Sequence, residues 1–415
     1  MTKLDSYQAA LDEVYRTFMR VKDRVKGLYD HEIRDPMRLL QIAKQMDIMP
    51  APEHTLRVTG SKGKGTTSRA AAVFLSETLR DRKVGLFISP EEMEHVDRMR
   101  VNGRPIEQSE FVRVLNEIMP YMDSAEAALA GNQYLSPFGI FLLIALKWFR
   151  EQDVDYYVLE TGRGVRFDEV GNLSSRTGLV TSILLEHADK LGPSLADIAG
   201  DKLSIGRNSL ELVVSESVDR INQRFGLLPV DSYTIVKSTA SVTDKPMWLE
   251  NDLLLARSGV ASLLECTEAA VAPIDTANVS AAFILSSYGG KPLAFEALIN
   301  LESLDRRLIE VWQQRYGTFL VVASLPDDKD RGPILEYLAS RGAMIVEVVL
   351  EGTRGYLNYH KTLADARYSK IVCHYEDAAN FGASLKAEIE KHALPFTYVV
   401  GTQTFFRLAR KAVLR

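Results

Sequence analysis

Apolar residues recur along the chain with two alternating periods. Tyr7, Leu11, Val14, Phe18, Val21 and Val25 lie at helical spacing and predict a packing helix over residues 5–27. Asp35-Pro36 breaks the chain, a second helix runs to about Met46, and Met49-Pro50-Ala51-Pro52 leads into a strand at 56–59. Residues 66–79 are helical again, with Ala71, Phe74, Leu75 and Leu79 on one face, and 84–88 form the next strand. A buried helix from Ser136 to Arg150 precedes a central strand at 154–160. Strands follow at 178–185, 210–214 and 232–236, with a helix at 218–225. From about 237 to 295 the pattern loosens, and Ser286-Ser287-Tyr288-Gly289-Gly290-Lys291-Pro292 reads as a linker. Beyond it, short apolar strands at 319–323, 343–349, 370–373 and 396–400 alternate with helices such as 332–340 and 378–392. Strands interleaved with helices predict an α/β protein, divided into domains over residues 1–295 and 296–415.

Composition narrows the class. A chain of 415 residues, 46% apolar and 25% charged, is long enough for two or three globular cores. A net charge of −5 supplies no basic field for nucleic acid. The two cysteines, Cys266 and Cys373, lie far apart, which excludes a disulfide framework or a zinc cluster and suits a reducing cytosol. The first residues, MTKLDSYQAALDEVY, carry charge from the start and lack a signal-peptide core. The most apolar run, 138–149, is interrupted by Lys147 and is well short of the roughly 20 residues a spanning helix needs. A soluble, cytoplasmic protein with no membrane partner is expected. No internal repeat is visible.

The chemistry concentrates where the 56–59 strand meets the 66–79 helix. Between them lies Gly60-Ser61-Lys62-Gly63-Lys64-Gly65, followed by Thr66-Thr67. The three glycines let backbone N–H groups converge on an anion, Lys64 adds a point charge, the helix N-terminus adds its dipole, and Thr66 offers a hydroxyl to Mg²⁺. The spelling departs from the strict G-x-x-x-x-G-K-[ST] pattern: Val58 takes the first glycine's place and Gly65 separates Lys64 from Thr66. A basic surface turn is the bland alternative, and the flanking strand and helix argue against it. The fold expected is therefore a P-loop-type, mostly parallel sheet flanked by helices, plus a smaller Rossmann-like α/β C-terminal domain. Glu160 closes the central strand, on the sheet edge that carries the phosphate loop, where an α/β enzyme places a metal ligand. A solvated strand end is the alternative there. His187 follows the 178–185 strand at the same edge, although a lone histidine is more often structural.

The loop spelling G-x-x-G-K-G-[ST] resembles the Mur ligase superfamily, specifically its folylpolyglutamate synthase/dihydrofolate synthase branch, whose loop reads GTNGKGS. The likeness extends through Ser89-Pro90 and Arg98-Met99-Arg100-Val101-Asn102-Gly103, through LETGRGVRFDEVGN at 159–172, and through ILLEHADKLGPSLADIAGDKLSI at 183–205. It implies that residues 60–67 cradle ATP, that Ser89, Glu160 and His187 join Thr66 in holding one or two Mg²⁺ ions, and that Lys202 is carbamylated. Lys64, His187 and Lys202 become the catalytic set, with Asn172 and Arg307 near the nucleotide. Without the resemblance, Lys202 reads as an exposed helix lysine and Ser89-Pro90 as a strand end. The activity implied is ATP-dependent joining of an amino acid, glutamate first, to a small carboxylate substrate through an acyl phosphate.

The pattern also has departures. Glu91 stands where the family has histidine, Gly139 replaces the glutamate of its T-x-F-E helix, and Leu255 takes the place of an adenine-contacting asparagine. Ala323 occupies the position of a nucleotide-binding aspartate. These keep three alternatives open: a ligase of a non-folate precursor, a catalytically lapsed homologue that depends on a partner subunit, and a plain P-loop phosphotransferase or NTPase.

Overall fold

The computed structural model describes residues 3–414, apart from 92, 239–244, 277–278, 280–281, 299, 328, 352–358, 360–366 and 375–377. The chain divides into two compact units, residues 1–239 with 250–279, and residues 240–249 with 280–415.

The described residues of the first unit form eight strands: β1 (Thr55–Thr59), β2 (Val84–Phe87), β3 (Met99–Val101), β4 (Arg104–Pro105), β5 (Tyr156–Glu160), β6 (Ser175–Val180), β7 (Ser209–Ser215) and β8 (Thr234–Val236). Their order in the sheet is β4-β3-β2-β5-β1-β6-β7-β8. β2, β5, β1, β6, β7 and β8 pair in parallel, whereas β3 and β4 add an antiparallel edge. β1 is buried at every position, as a strand covered on both faces must be. Its one charged residue, Arg57, is fully buried. Burial lowers its pKa to about 9, and its guanidinium donates to the carbonyls of Val170, Gly171 and Ile205 and to the hydroxyls of Ser175 and Ser209.

Helices cover both faces. On one side pack α1 (Tyr7–Val21), the single turn α2 (Asp30–Ile33), α3 (Pro36–Gln45), α5 (Gln108–Ala127) and α6 (Pro137–Glu151); α4 (Lys64–Thr78) connects β1 to β2. Leu39, Phe111, Phe141 and Phe149 belong to the core under the first group, and Ala71, Leu75, Leu179 and Leu255 to the core beneath α4. α7 (Ala188–Leu191), α8 (Leu195–Leu203) and α9 (Glu216–Phe225) follow in order, and α10 (Met247–Leu263) closes the set. The expected first helix is shorter than its apolar spacing, ending at Val21 before a run of turns. β6 also stops early, at Val180, because residues 181–184 leave the ladder to bond the phosphate loop.

The described residues of the second unit form six strands, β9 (Phe283–Tyr288), β10 (Lys291–Ala297), β11 (Phe319–Ser324), β12 (Ala343–Glu351), β13 (Ser369–His374) and β14 (Thr397–Gly401), in the order β13-β12-β11-β14-β10-β9. Among the described residues its helices are α11 (Arg306–Tyr316), α12 (Arg331–Ser340), α13 (Ala378–His392) and α14 (Gln403–Leu414). The stretch 286–292 is a hairpin rather than a linker. Gly289 and Gly290 sit at φ 58° and 76°, the left-handed pair a two-residue turn requires, and β9 pairs antiparallel with β10 on either side. The division expected after residue 295 thus falls inside β10.

Candidate active site

The loop from Gly60 to Gly65 leaves the carboxyl end of β1 and enters α4, whose first residue is Lys64. Gly63 is the N-cap at φ 85°, and Gly60 lies at φ 143°. At both, a side chain would be strained, and a β-carbon would overlap the Asp252 carboxylate or the Thr181 hydroxyl, respectively. The amides at the start of α4 have no partner within the helix, as in any helix, and form the anion-binding end. The amides of Ser61 and Lys62 are differently placed: they donate to the carbonyl (2.8 Å) and hydroxyl (2.9 Å) of Ser182. The Lys64 ammonium folds back on the loop, donating to the Gly60 carbonyl at 2.9 Å.

Glu160 ends β5 beside this loop and is only 2% exposed. Burial raises its pKa to about 7, against the pull of Lys64 and of the Ser89 amide, which donates to Oε2 at 3.2 Å. A β-carbon on Gly65 would sit 3.6 Å from the same oxygen, so the carboxylate faces the first turn of α4. Lys202, fully buried on α8, shares the Gly60 carbonyl with Lys64. Its ammonium donates to the carbonyls of Gly60 (3.0 Å) and Arg163 (2.9 Å) and pairs with Glu186 at 3.3 Å. Burial, with Lys64 nearby, lowers its pKa to about 8 against the pull of Glu186. His187 caps α7 at φ 50°. Burial lowers its pKa, opposed by Glu186 and assisted by Lys202, Arg163 and Lys64. Glu160, Lys202 and His187 therefore all feel the Lys64 charge.

Among the described residues no three of His, Cys, Asp and Glu form a metal cage. A lone buried carboxylate beside a phosphate loop fits Mg²⁺, which is held by one or two carboxylates together with phosphate oxygens and water.

Several polar residues that the sequence did not single out shape this edge. Asp201 accepts the amides of Val165 and Arg166, and Asp168 those of Gly162 and Gly171, so the loop after β5 is wound around two carboxylates. Burial raises Asp168 to about 7 against the attraction of Arg34. Arg34 pairs with buried Glu169 at 2.7 Å, and Arg163 pairs with Asp30. Asp252, on α10, is 7% exposed and pushed up to about 8 by burial, with Thr67 opposing the shift. Its position against Gly63 carries no motif signal.

No family model matches the chain. In sequence it is similar to the dihydrofolate synthase/folylpolyglutamate synthase of Mycobacterium tuberculosis, 30% identical over 182 residues that cover 42% of this chain and 37% of that protein. The same enzyme of Escherichia coli is 31% identical over 179 residues, 43% of this chain and 40% of the other. The chain thus spans about two fifths of the length of these curated relatives. In structure the likeness runs end to end. An E. coli FolC in complex with DHPP and ADP superposes with a TM-score of 0.72 over 99% of this chain and 98% of its own, at 22% identity.

The fold is that of a folylpolyglutamate synthase. A second such structure, the M. tuberculosis folylpolyglutamate synthase complexed with ADP and AMPPCP, gives a TM-score of 0.69 at 17% identity, covering 98% of each chain. Set on this folylpolyglutamate synthase fold, the departures acquire physical reasons. Leu255 is 1% exposed within the core beneath α4, so an apolar side chain fills space where a polar one is expected. A β-carbon on Gly139 would lie 2.5 Å from Leu39 Cδ1 and 2.6 Å from the Glu169 carboxyl group, so these two side chains together exclude one from the start of α6. Glu91 accepts both Nε (2.9 Å) and Nη2 (2.6 Å) of Arg98, and burial notwithstanding, that arginine holds its pKa down at about 2. Asn172 closes the turn after β5, its amide nitrogen donating to the carbonyls of Val165, Arg166 and Asp168. Arg307, in the second unit, donates to the Lys245 carbonyl at 2.9 Å and pairs with Asp305 at 3.3 Å. Ala323 is buried within β11.

Proposed function

We propose that the protein is an ATP-dependent carboxylate–amine ligase that joins an amino acid, glutamate in the first instance, to a small carboxylate substrate. The observation that carries the reading is the grouping of Lys64, Glu160, Lys202 and His187 around one glycine loop at the carboxyl edge of β1 and β5. The curated relatives of similar sequence bear the folylpolyglutamate and dihydrofolate synthase names, and their solved counterparts carry ADP, AMPPCP or DHPP.

In this reading residues 60–67 hold the triphosphate. The amides at the start of α4 and the Lys64 ammonium, released from Gly60, face the phosphate oxygens. Glu160, with Thr66, Ser89 and His187, holds one or two Mg²⁺ ions, which when bound neutralise charge on the transferring phosphoryl group. The substrate carboxylate takes the γ-phosphoryl group, and the amine then displaces phosphate from the resulting acyl phosphate to leave an amide. Little covalent work falls to the protein, and positioning plus electrostatics supply the rate. Lys202 is assigned to carbamylation: near pH 8 about half of it is the neutral amine that CO₂ requires. Asn172 and Arg307 are assigned to the nucleotide, and the two units to ATP binding (with its N-terminal helices) and to a Rossmann-like ligase domain.

The test is ADP release from MgATP across a panel of small carboxylic acids and amino acids, with Glu160→Gln as control. Release that needs both an acid and an amine, and that is lost in the variant, supports the ligase. A non-folate acid is the second reading, favoured by the Glu91–Arg98 pair and by Gly139. A partner-dependent binding homologue is the third, favoured by the buried Leu255 and Ala323. Turnover with a dihydropteroate-like acid contradicts both.

A further inference from the structure

The segment leaving β6 is bound to the phosphate loop at nearly every residue. Ser61 N–H donates to the Ser182 carbonyl at 2.8 Å, and Lys62 N–H donates to the Ser182 hydroxyl at 2.9 Å. That hydroxyl donates in turn to the Lys62 carbonyl at 3.0 Å, where the Thr181 hydroxyl also donates. Leu184 N–H completes the seam by donating to the Ser61 hydroxyl at 2.9 Å. One side chain, Ser182, thus holds both backbone polar groups of Lys62, and Thr181 fills the space beside Gly60 that a β-carbon would need.

We propose that Ser182 is a positioning residue of the phosphate loop, fixing Lys62 so that an anion is met at the first turn of α4 rather than by the amides of Ser61 and Lys62. The inference rests on the nucleotide reading above. With the amides of Ser61 and Lys62 already bonded, the loop cannot wrap an anion with them, and the anion is met at the first turn of α4. The side chain must both accept and donate, which a hydroxyl does and a methyl group cannot. Alanine would leave the half-buried Lys62 N–H without its acceptor and let the loop relax into other shapes. Threonine keeps the hydroxyl.

The experiment compares the full-length wild type with Ser182→Ala and Ser182→Thr. MgATP affinity is measured by calorimetry, and exchange of the Lys62 amide by hydrogen–deuterium exchange without nucleotide. The expected result for Ser182→Ala is about tenfold weaker MgATP binding. Lys62 exchanges about tenfold faster, and the melting temperature stays close to that of the wild type. Ser182→Thr restores both. Equal MgATP affinity in wild type and Ser182→Ala overturns the inference alone, as does a Ser182→Thr variant no better than Ser182→Ala. A wild type that binds no MgATP overturns the nucleotide reading beneath it, and the inference with it.

Discussion

The two units differ in what they keep beside their locally paired buried groups. In the first, buried or half-buried charges gather at the carboxyl edge of the sheet and share one neighbour: Glu160, Lys202 and His187 all respond to Lys64. In the second, the comparable groups are closed off in pairs. Tyr398 and Trp248 donate to Glu296, Arg331 pairs with Glu347 across from Ala323, and the hydroxyls of Ser324 and Tyr359 meet at 3.0 Å. Local pairing of this kind satisfies buried polar groups and leaves few to work on a ligand. On the proposed reading the phosphate chemistry falls to the first unit, whereas in the second Ala323 is part of a packed strand.

That contrast can be broken by removing partners on either side. The largest effect expected is from Arg34→Ala, which leaves Glu169 and Asp168 buried without their counter-charge; denaturant melts should show a loss of about 3–5 kcal/mol. A loss below about 1 kcal/mol would mean that the cluster is already solvated. Next is Glu160→Gln, expected to lower Mg²⁺-dependent ADP release on the order of a hundredfold with an unchanged melting temperature at pH 6.

Asp252 gives a pH test. Its carboxyl group titrates near 8 in the folded protein, above the unfolded value of 3.8, so the folded state holds the proton more tightly. Its contribution to stability is greatest at low pH and is lost as the pH rises toward 8. Between pH 6 and pH 9 the wild type should lose about 3 kcal/mol more than Asp252→Asn, read from paired denaturant melts. The smallest effect is in the second unit: Tyr398→Phe should lower stability by about 1 kcal/mol and leave exchange of the phosphate-loop amides unchanged. Faster exchange at Lys62 in that variant would show that the units are not energetically separate.

Much of the first unit was legible in the chain because its strands and helices carry clean periods and its phosphate loop is local. β1, the loop and α4 need only residues 55–78 to be recognised. What escaped reading was made by contacts between distant segments. Ser182 meets Lys62 across 120 positions, Arg34 meets Glu169 across 135, and Asp252 lies on a helix far from the Gly63 it packs against. No window of sequence contains both members of such a pair. The 286–292 stretch failed for a different reason: paired glycines serve a tight hairpin as well as a linker, and β9 and β10 around them are too mixed in polarity to stand out.

The central claim is that the Gly60–Thr67 loop binds a nucleotide's phosphates. The direct measurement is calorimetric titration of MgATP into the wild type and into Lys64→Ala. Micromolar binding in the wild type, weakened about a hundredfold or more in the variant, is the predicted result. Equal affinity in the two, or no binding to the wild type, would contradict it.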